Sequence, residues 1–127
     1  MKNVKVLLVD DHEDFRKVVQ DFLKRLPNIS VVGEAIDGVD AIEKVERLSP
    51  DVVLMDIAMP KRNGIEATRI IKQRWPLTKV LIATTYDTPI YRTQALEAKA
   101  DGFILKSSLK PGLEATFGTL RTGMQSK

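Results

Sequence analysis

Residues 51–60 read DVVLMDIAMP. Val52, Val53, Leu54 and Met55 form an unbroken apolar run, too short to span a membrane and long enough for a strand buried on both faces. The run ends on Asp56, and the Met59-Pro60 pair that follows cannot extend a strand. Open α/β sheets carry their chemistry at such points, where a buried strand hands a polar side chain to an irregular loop. A single acid there is equally well a turn cap, so the meaning of Asp56 depends on what else reaches it.

Working outward, Val4 to Val9 (VKVLLV) is a second buried-strand run, and it too ends on acids, Asp10 and Asp11. Phe15, Val18, Val19, Phe22, Leu23 and Leu26 then follow the stripe of an amphipathic helix, with Asp11 placed to cap it and Pro27 beyond its end. Ser30 to Ala35 is a short strand. After the Asp37-Gly38 turn, Ala41, Ile42, Val45 and Leu48 stripe a second helix. Asn63-Gly64 opens a third, facing inward through Ala67, Ile70, Ile71 and Trp75. KVLIAT (79–84) is a fourth strand, residues 89–98 a weaker helix and GFIL (102–105) a fifth strand. Leu113, Phe117, Leu120 and Met124 mark a last helix, weakened by Gly112, Gly118 and Thr119.

Five strands alternating with five helices predict a flavodoxin-like, doubly wound (βα)5 domain with a parallel sheet in the order 2-1-3-4-5. Strands 1 and 3 are then neighbours, and Asp10, Asp11 and Asp56 share one crevice. Three carboxylates there repel one another unless a hard divalent cation sits among them, and oxygen donors suit Mg²⁺ or Mn²⁺. DDHED fills the loop after the first strand, where direct phosphate binding would want glycine or hydroxyl residues. An anion therefore approaches only through a bridging cation. Thr84 and Lys106, at the ends of strands 4 and 5, add a hydroxyl and an ammonium. The set reads as phosphoryl chemistry with Asp56 as nucleophile.

Composition bounds the alternatives. The 127 residues suit one domain, residues 1–127, and the absence of cysteine excludes disulfides and thiolate metal sites. No signal peptide or membrane segment is read, so a cytoplasmic address is expected, and the Asn28-Ile29-Ser30 glycosylation match is idle without export. Net charge is +3. Lys61, Arg62, Arg69, Lys72, Arg74 and Lys79 face only Glu66 between positions 61 and 79. Without aromatic or glycine interleaving that cluster reads as a solvated helix face, not a nucleic-acid surface. His12, the chain's one histidine, has no second nitrogen or sulfur ligand near it in sequence and is read as non-catalytic.

VLLVDDH, DVVLMDIAMP, NGIEA, ATT and GFILK, in that order, resemble the receiver domain of two-component response regulators over essentially the whole chain. DDH, GEAIDG, LMDIAMP and NGIEATR are most similar to the NarL/LuxR-type subfamily. The resemblance implies that Asp56 accepts a phosphoryl group from the phosphohistidine of a sensor histidine kinase. It implies that Asp11, Asp56 and the backbone carbonyl of Ala58 ligate Mg²⁺, Asp10 assisting largely through water. Lys106 and Thr84 would contact the phosphoryl group, and Phe103 would be the aromatic that turns inward as Thr84 moves. Simple core packing is the other reading of Phe103.

Ser107 stands where many receivers have proline, which puts a cis 106–107 peptide in question. Ala58 and Tyr86 occupy places that influence phosphoryl hydrolysis in the family. Neither activates water, so slow self-dephosphorylation is expected.

NarL/LuxR-type regulators continue into a helix-turn-helix domain that this chain, ending RTGMQSK, lacks. DNA contact is thus expected only through that absent domain, with phosphorylation-dependent homodimerisation over residues 89–123 or the first-helix face. A stand-alone receiver that docks on another protein is the alternative. An aspartate-nucleophile phosphatase of the haloacid dehalogenase type is a weaker one, because Ala58 stands where its second acid belongs.

Overall fold

A computed structural model describes residues 3–57, 63–85 and 88–125, with side chains to Phe117. The elements are β1 (Val4–Val9), α1 (Glu13–Lys24), β2 (Ile29–Ala35), α2 (Gly38–Leu48), β3 (Val52–Met55), α3 (Gly64–Arg74), β4 (Lys79–Thr84), α4 (Pro89–Glu97), β5 (Gly102–Leu105) and α5 (Leu109–Gln125). The five strands are parallel in the order β2-β1-β3-β4-β5, the expected doubly wound arrangement. A 3-10 turn over Lys106–Ser108, not foreseen from sequence, joins β5 to α5. The described peptide bonds are all trans.

Because successive strand residues face opposite sides of a sheet, the apolar strands feed two cores. Leu7, Val9, Val53, Met55, Val80 and Ile82 pack under α2, α3 and α4. Val6, Leu8, Val52, Leu54, Leu81 and Ile104 pack under α1 and α5. The helices begin where local chemistry satisfies their free N–H groups. Asp37 accepts from Asp40 N, Asn63 from Glu66 N, and Thr88 from Tyr91 N ahead of Pro89.

Two expectations for α1 need correction. Val18 is half-exposed, because it lies on the stripe's flank, about 80° from its centre at the helical angle per residue. Asp11 does not cap the helix. The cap position belongs to His12, which makes no side-chain cap bond, and the His12 N–H donates instead to Asp10 Oδ1 at 2.8 Å. Leu120 and Met124 lie outside the described side chains.

One carboxylate ties the bottom of the sheet. Asp101 Oδ2 accepts from Val80 N at 2.8 Å and from Lys72 Nζ at 2.9 Å, and Lys72 also donates to the carbonyls of Pro76 and Thr78. Lys72 is therefore committed within the domain and not to a basic surface. Asp101→Ala leaves the buried Val80 N–H and the Lys72 ammonium short of a partner. It is expected to lower stability by about 1–3 kcal/mol, read as a lower urea midpoint at unchanged slope.

Candidate functional site

Strand parity delivers the polar residues to one side. Asp10 and Asp56 each stand one residue past an apolar strand, and Lys106 two past Ile104, so all three fall on the α1 side of the sheet. Val9 registers with Met55, and Asp56 N donates to Val9 O at 3.0 Å. The two acids are thus neighbours, both buried. Lys106 Nζ reaches back over them, 2.6 Å from Asp10 Oδ2 and 3.8 Å from Asp56 Oδ2.

Asp10, Asp11, His12 and Asp56 each offer one ligand atom, and these atoms lie within 4.8 Å of one another. Burial, reinforced by the Asp10 charge, pushes the Asp56 carboxyl up from 3.8 to about 6, against the opposing pull of Lys106 and the Ile57 N–H; Asp11 adds a smaller push upward. A site that holds close carboxylates at this electrostatic cost is one a cation would relieve. Its donors are mainly carboxylate oxygens, the kind hard divalent ions select.

The surroundings fix the acids. Arg16, one turn into α1, donates Nη1 to the Asp10 carbonyl at 2.6 Å and Nε to Glu34 Oε1 at 2.6 Å, joining β1 to β2 beside the site. Gly64 N donates to Ile57 O at 2.9 Å, and a methyl group on Gly64 would stand 1.8 Å from the Asp56 carbonyl oxygen. The start of α3 therefore lies directly against the backbone that presents Asp56.

Thr84 ends β4, fully buried and in register with Leu105, the residue before Lys106. Phe103 faces the other core, with the Arg92 guanidinium of α4 4.6 Å from its ring centroid. Ala58 and Tyr86 lie outside the described residues.

Two contacts were not foreseen. His12 Nδ1 folds back to 3.0 Å from Asp10 Oδ1 and 3.1 Å from Asp11 Oδ1. Lys106 Nζ sits 4.1 Å from the ring centroid of Phe15, a residue read only as helix-stripe packing. The signal for the second was its place one turn after the acidic loop.

A family model described as the response regulator receiver domain matches residues 6–117. Among curated proteins, the transcriptional regulatory protein DegU of Brevibacillus brevis is 45% identical over 103 residues, which cover 81% of this chain and 44% of DegU. A protein-glutamate methylesterase/protein-glutamine glutaminase of Pyrococcus horikoshii is 43% identical over 108 residues, 84% of this chain and 29% of that protein. Among solved structures, a LuxR-family two-component response regulator from Aurantimonas sp. SI85-9A1 superposes with a TM-score of 0.89 at 34% identity, covering 96% of this chain and 87% of that one. The chain spans less than half the length of both curated relatives. Among the described residues no helix is long and apolar enough to cross a membrane.

Proposed function

Because the chain belongs to the response regulator receiver domain family, in its NarL/LuxR-type branch, we propose that Asp56 accepts a phosphoryl group from the phosphohistidine of a sensor histidine kinase. As the receiver domain of a response regulator, the chain is consistent with two-component signalling. The observation that carries the finer reading is the Lys106 ammonium lying across Asp10 and Asp56 at the mouth of the parallel sheet.

In the transfer, an Asp56 carboxylate oxygen forms the new P–O bond. The P–N bond of the donor breaks with its electron pair on the imidazole nitrogen, which takes a proton from solvent. Asp56 must be ionised to attack, and Lys106 opposes the burial that would keep it protonated. Lys106 and the Thr84 hydroxyl are the groups assigned to the phosphoryl oxygens, the ammonium already 3.8 Å from Asp56 and the hydroxyl engaging on activation. Mg²⁺ or Mn²⁺, held by Asp11, Asp56 and the Ala58 carbonyl with Asp10 assisting largely through water, would supply further charge neutralisation there. Phe103, beside Thr84's strand, is the element proposed to read the change. The chain catalyses only its own phosphorylation and dephosphorylation. Output is assigned to a phosphorylation-dependent homodimer and to DNA contact through a separate helix-turn-helix domain.

Intact mass after incubation with acetyl phosphate and Mg²⁺ tests the reading. A single phosphoryl adduct is expected, lost on chelation and absent from Asp56→Ala. An adduct that persists in Asp56→Ala would reject Asp56 as acceptor.

A further inference from the structure

Lys106 is asked to stay over the site on a flexible four-carbon stem, and its nearest charged partner is unreliable. That partner, Asp10 Oδ2 at 2.6 Å, belongs to the carboxylate cluster that a divalent cation would claim. Once a cation takes the charge of Asp10, the ion pair no longer fixes the ammonium. One contact is indifferent to that change. The Phe15 ring is uncharged, binds no metal and lies under the ammonium at 4.1 Å from Nζ to the ring centroid. It is itself held by packing against the core layer under α1.

We propose that Phe15 is a positioning residue for Lys106: its ring face holds the ammonium over Asp56 by a cation–π contact that persists when Asp10 is committed to a cation. The inference rests on the phosphoryl-acceptor reading above for its kinetic consequence, but not for its geometry. Phe15 has no group that could donate to a phosphoryl oxygen; it acts through Lys106. The contact spans from the first turn of α1 to the end of β5, so it also fixes the reach of the lysine across the mouth of the sheet. A phenyl ring attracts a cation through its quadrupole, and ring fluorination weakens that attraction while nearly preserving shape. Ordinary packing has no such dependence.

Replacement of Phe15 by mono-, di- and trifluorophenylalanine is therefore the test, read by the rate of phosphorylation from acetyl phosphate at saturating Mg²⁺. The expected result is a stepwise fall in the logarithm of the rate with each fluorine. Phe15→Leu should be slower by roughly three- to tenfold and Phe15→Trp close to wild type, all with unchanged melting temperature across the fluorinated set. Equal rates across that set would overturn the proposal. A second measurement does not need the reaction. The Lys106 ε-methylene protons should show an upfield ring-current shift by NMR, with and without Mg²⁺, that disappears in Phe15→Leu. Its absence from the wild-type protein in Mg²⁺ overturns the proposal. If the unmodified chain takes up no phosphoryl group, the functional reading fails and the ring-current shift alone decides the Phe15 contact.

Discussion

Gly64→Ala is expected to cost about 3 kcal/mol or more of stability and to impair phosphoryl uptake at Asp56 together with it. Alanine at an early helix position is ordinarily favourable over glycine, by about 1 kcal/mol, so the sign of the effect is itself diagnostic. The added methyl would meet the Asp56 carbonyl oxygen at 1.8 Å and its carbonyl carbon at 2.8 Å. Both are backbone atoms, and no rotamer change relieves them. Either α3 retreats from its packing against β3 and β4, or the Asp56-Ile57 peptide shifts and the carboxylate moves with it. Gly33→Ala is the control. There the new methyl meets Leu48 Cδ1 at 2.7 Å and Leu7 Cδ1 at 3.4 Å, both the ends of side chains and the closer one able to turn away, and about 1 kcal/mol is expected. Urea denaturation of the two variants, beside intact mass after acetyl phosphate, separates the cases. A Gly64→Ala protein as stable and as reactive as wild type would show that α3 does not brace Asp56.

Asp56→Asn, in contrast, is expected to stabilise the protein when no divalent cation is added. A carboxyl that folding raises from 3.8 to about 6 binds its proton more tightly in the native chain than in the unfolded one. Its contribution to stability is thus most favourable below pH 4 and is lost as pH rises from there through 6. Above that window the ionised native carboxylate costs about 3 kcal/mol, which asparagine removes. The variant should melt on the order of 10 °C higher at pH 8, with the gain fading toward pH 4. Added Mg²⁺ should narrow the gap by stabilising the wild type through mass action. A variant that melts below wild type at pH 8 without metal would mean that Asp56 carries no electrostatic burden.

The sheet could be read almost completely from the chain because its strands are short and apolar and alternate with helical stripes. The bounds of β4 and β5 agree with KVLIAT and GFIL residue for residue. Strand-end residues were legible as well, since a parallel sheet gathers its carboxyl ends, and Asp10, Asp56 and Lys106 do meet. What the residues could not convey is a contact that depends on where a side chain swings. Helical period assigns Phe15 to the buried face, and it cannot tell a ring packed on leucine from one lying under an ammonium. Sequence neighbours likewise gave no reason for the His12 ring to turn back onto Asp10 and Asp11. Val18 failed differently, because a stripe defines a centre better than its edges.

The Asp10–Lys106 ion pair joins residues 96 apart in the chain. Lys106 directly follows β5, so the pair is in place only where β5 lies against β4. The acids of the crevice come from the ends of β1 and β3, whereas the ammonium that crosses them comes from the end of β5 at the sheet's edge. The bridge therefore makes the electrostatics of the first loop depend on the far edge of the sheet: whatever displaces β5 from β4 also removes the Lys106 ammonium placed over Asp10.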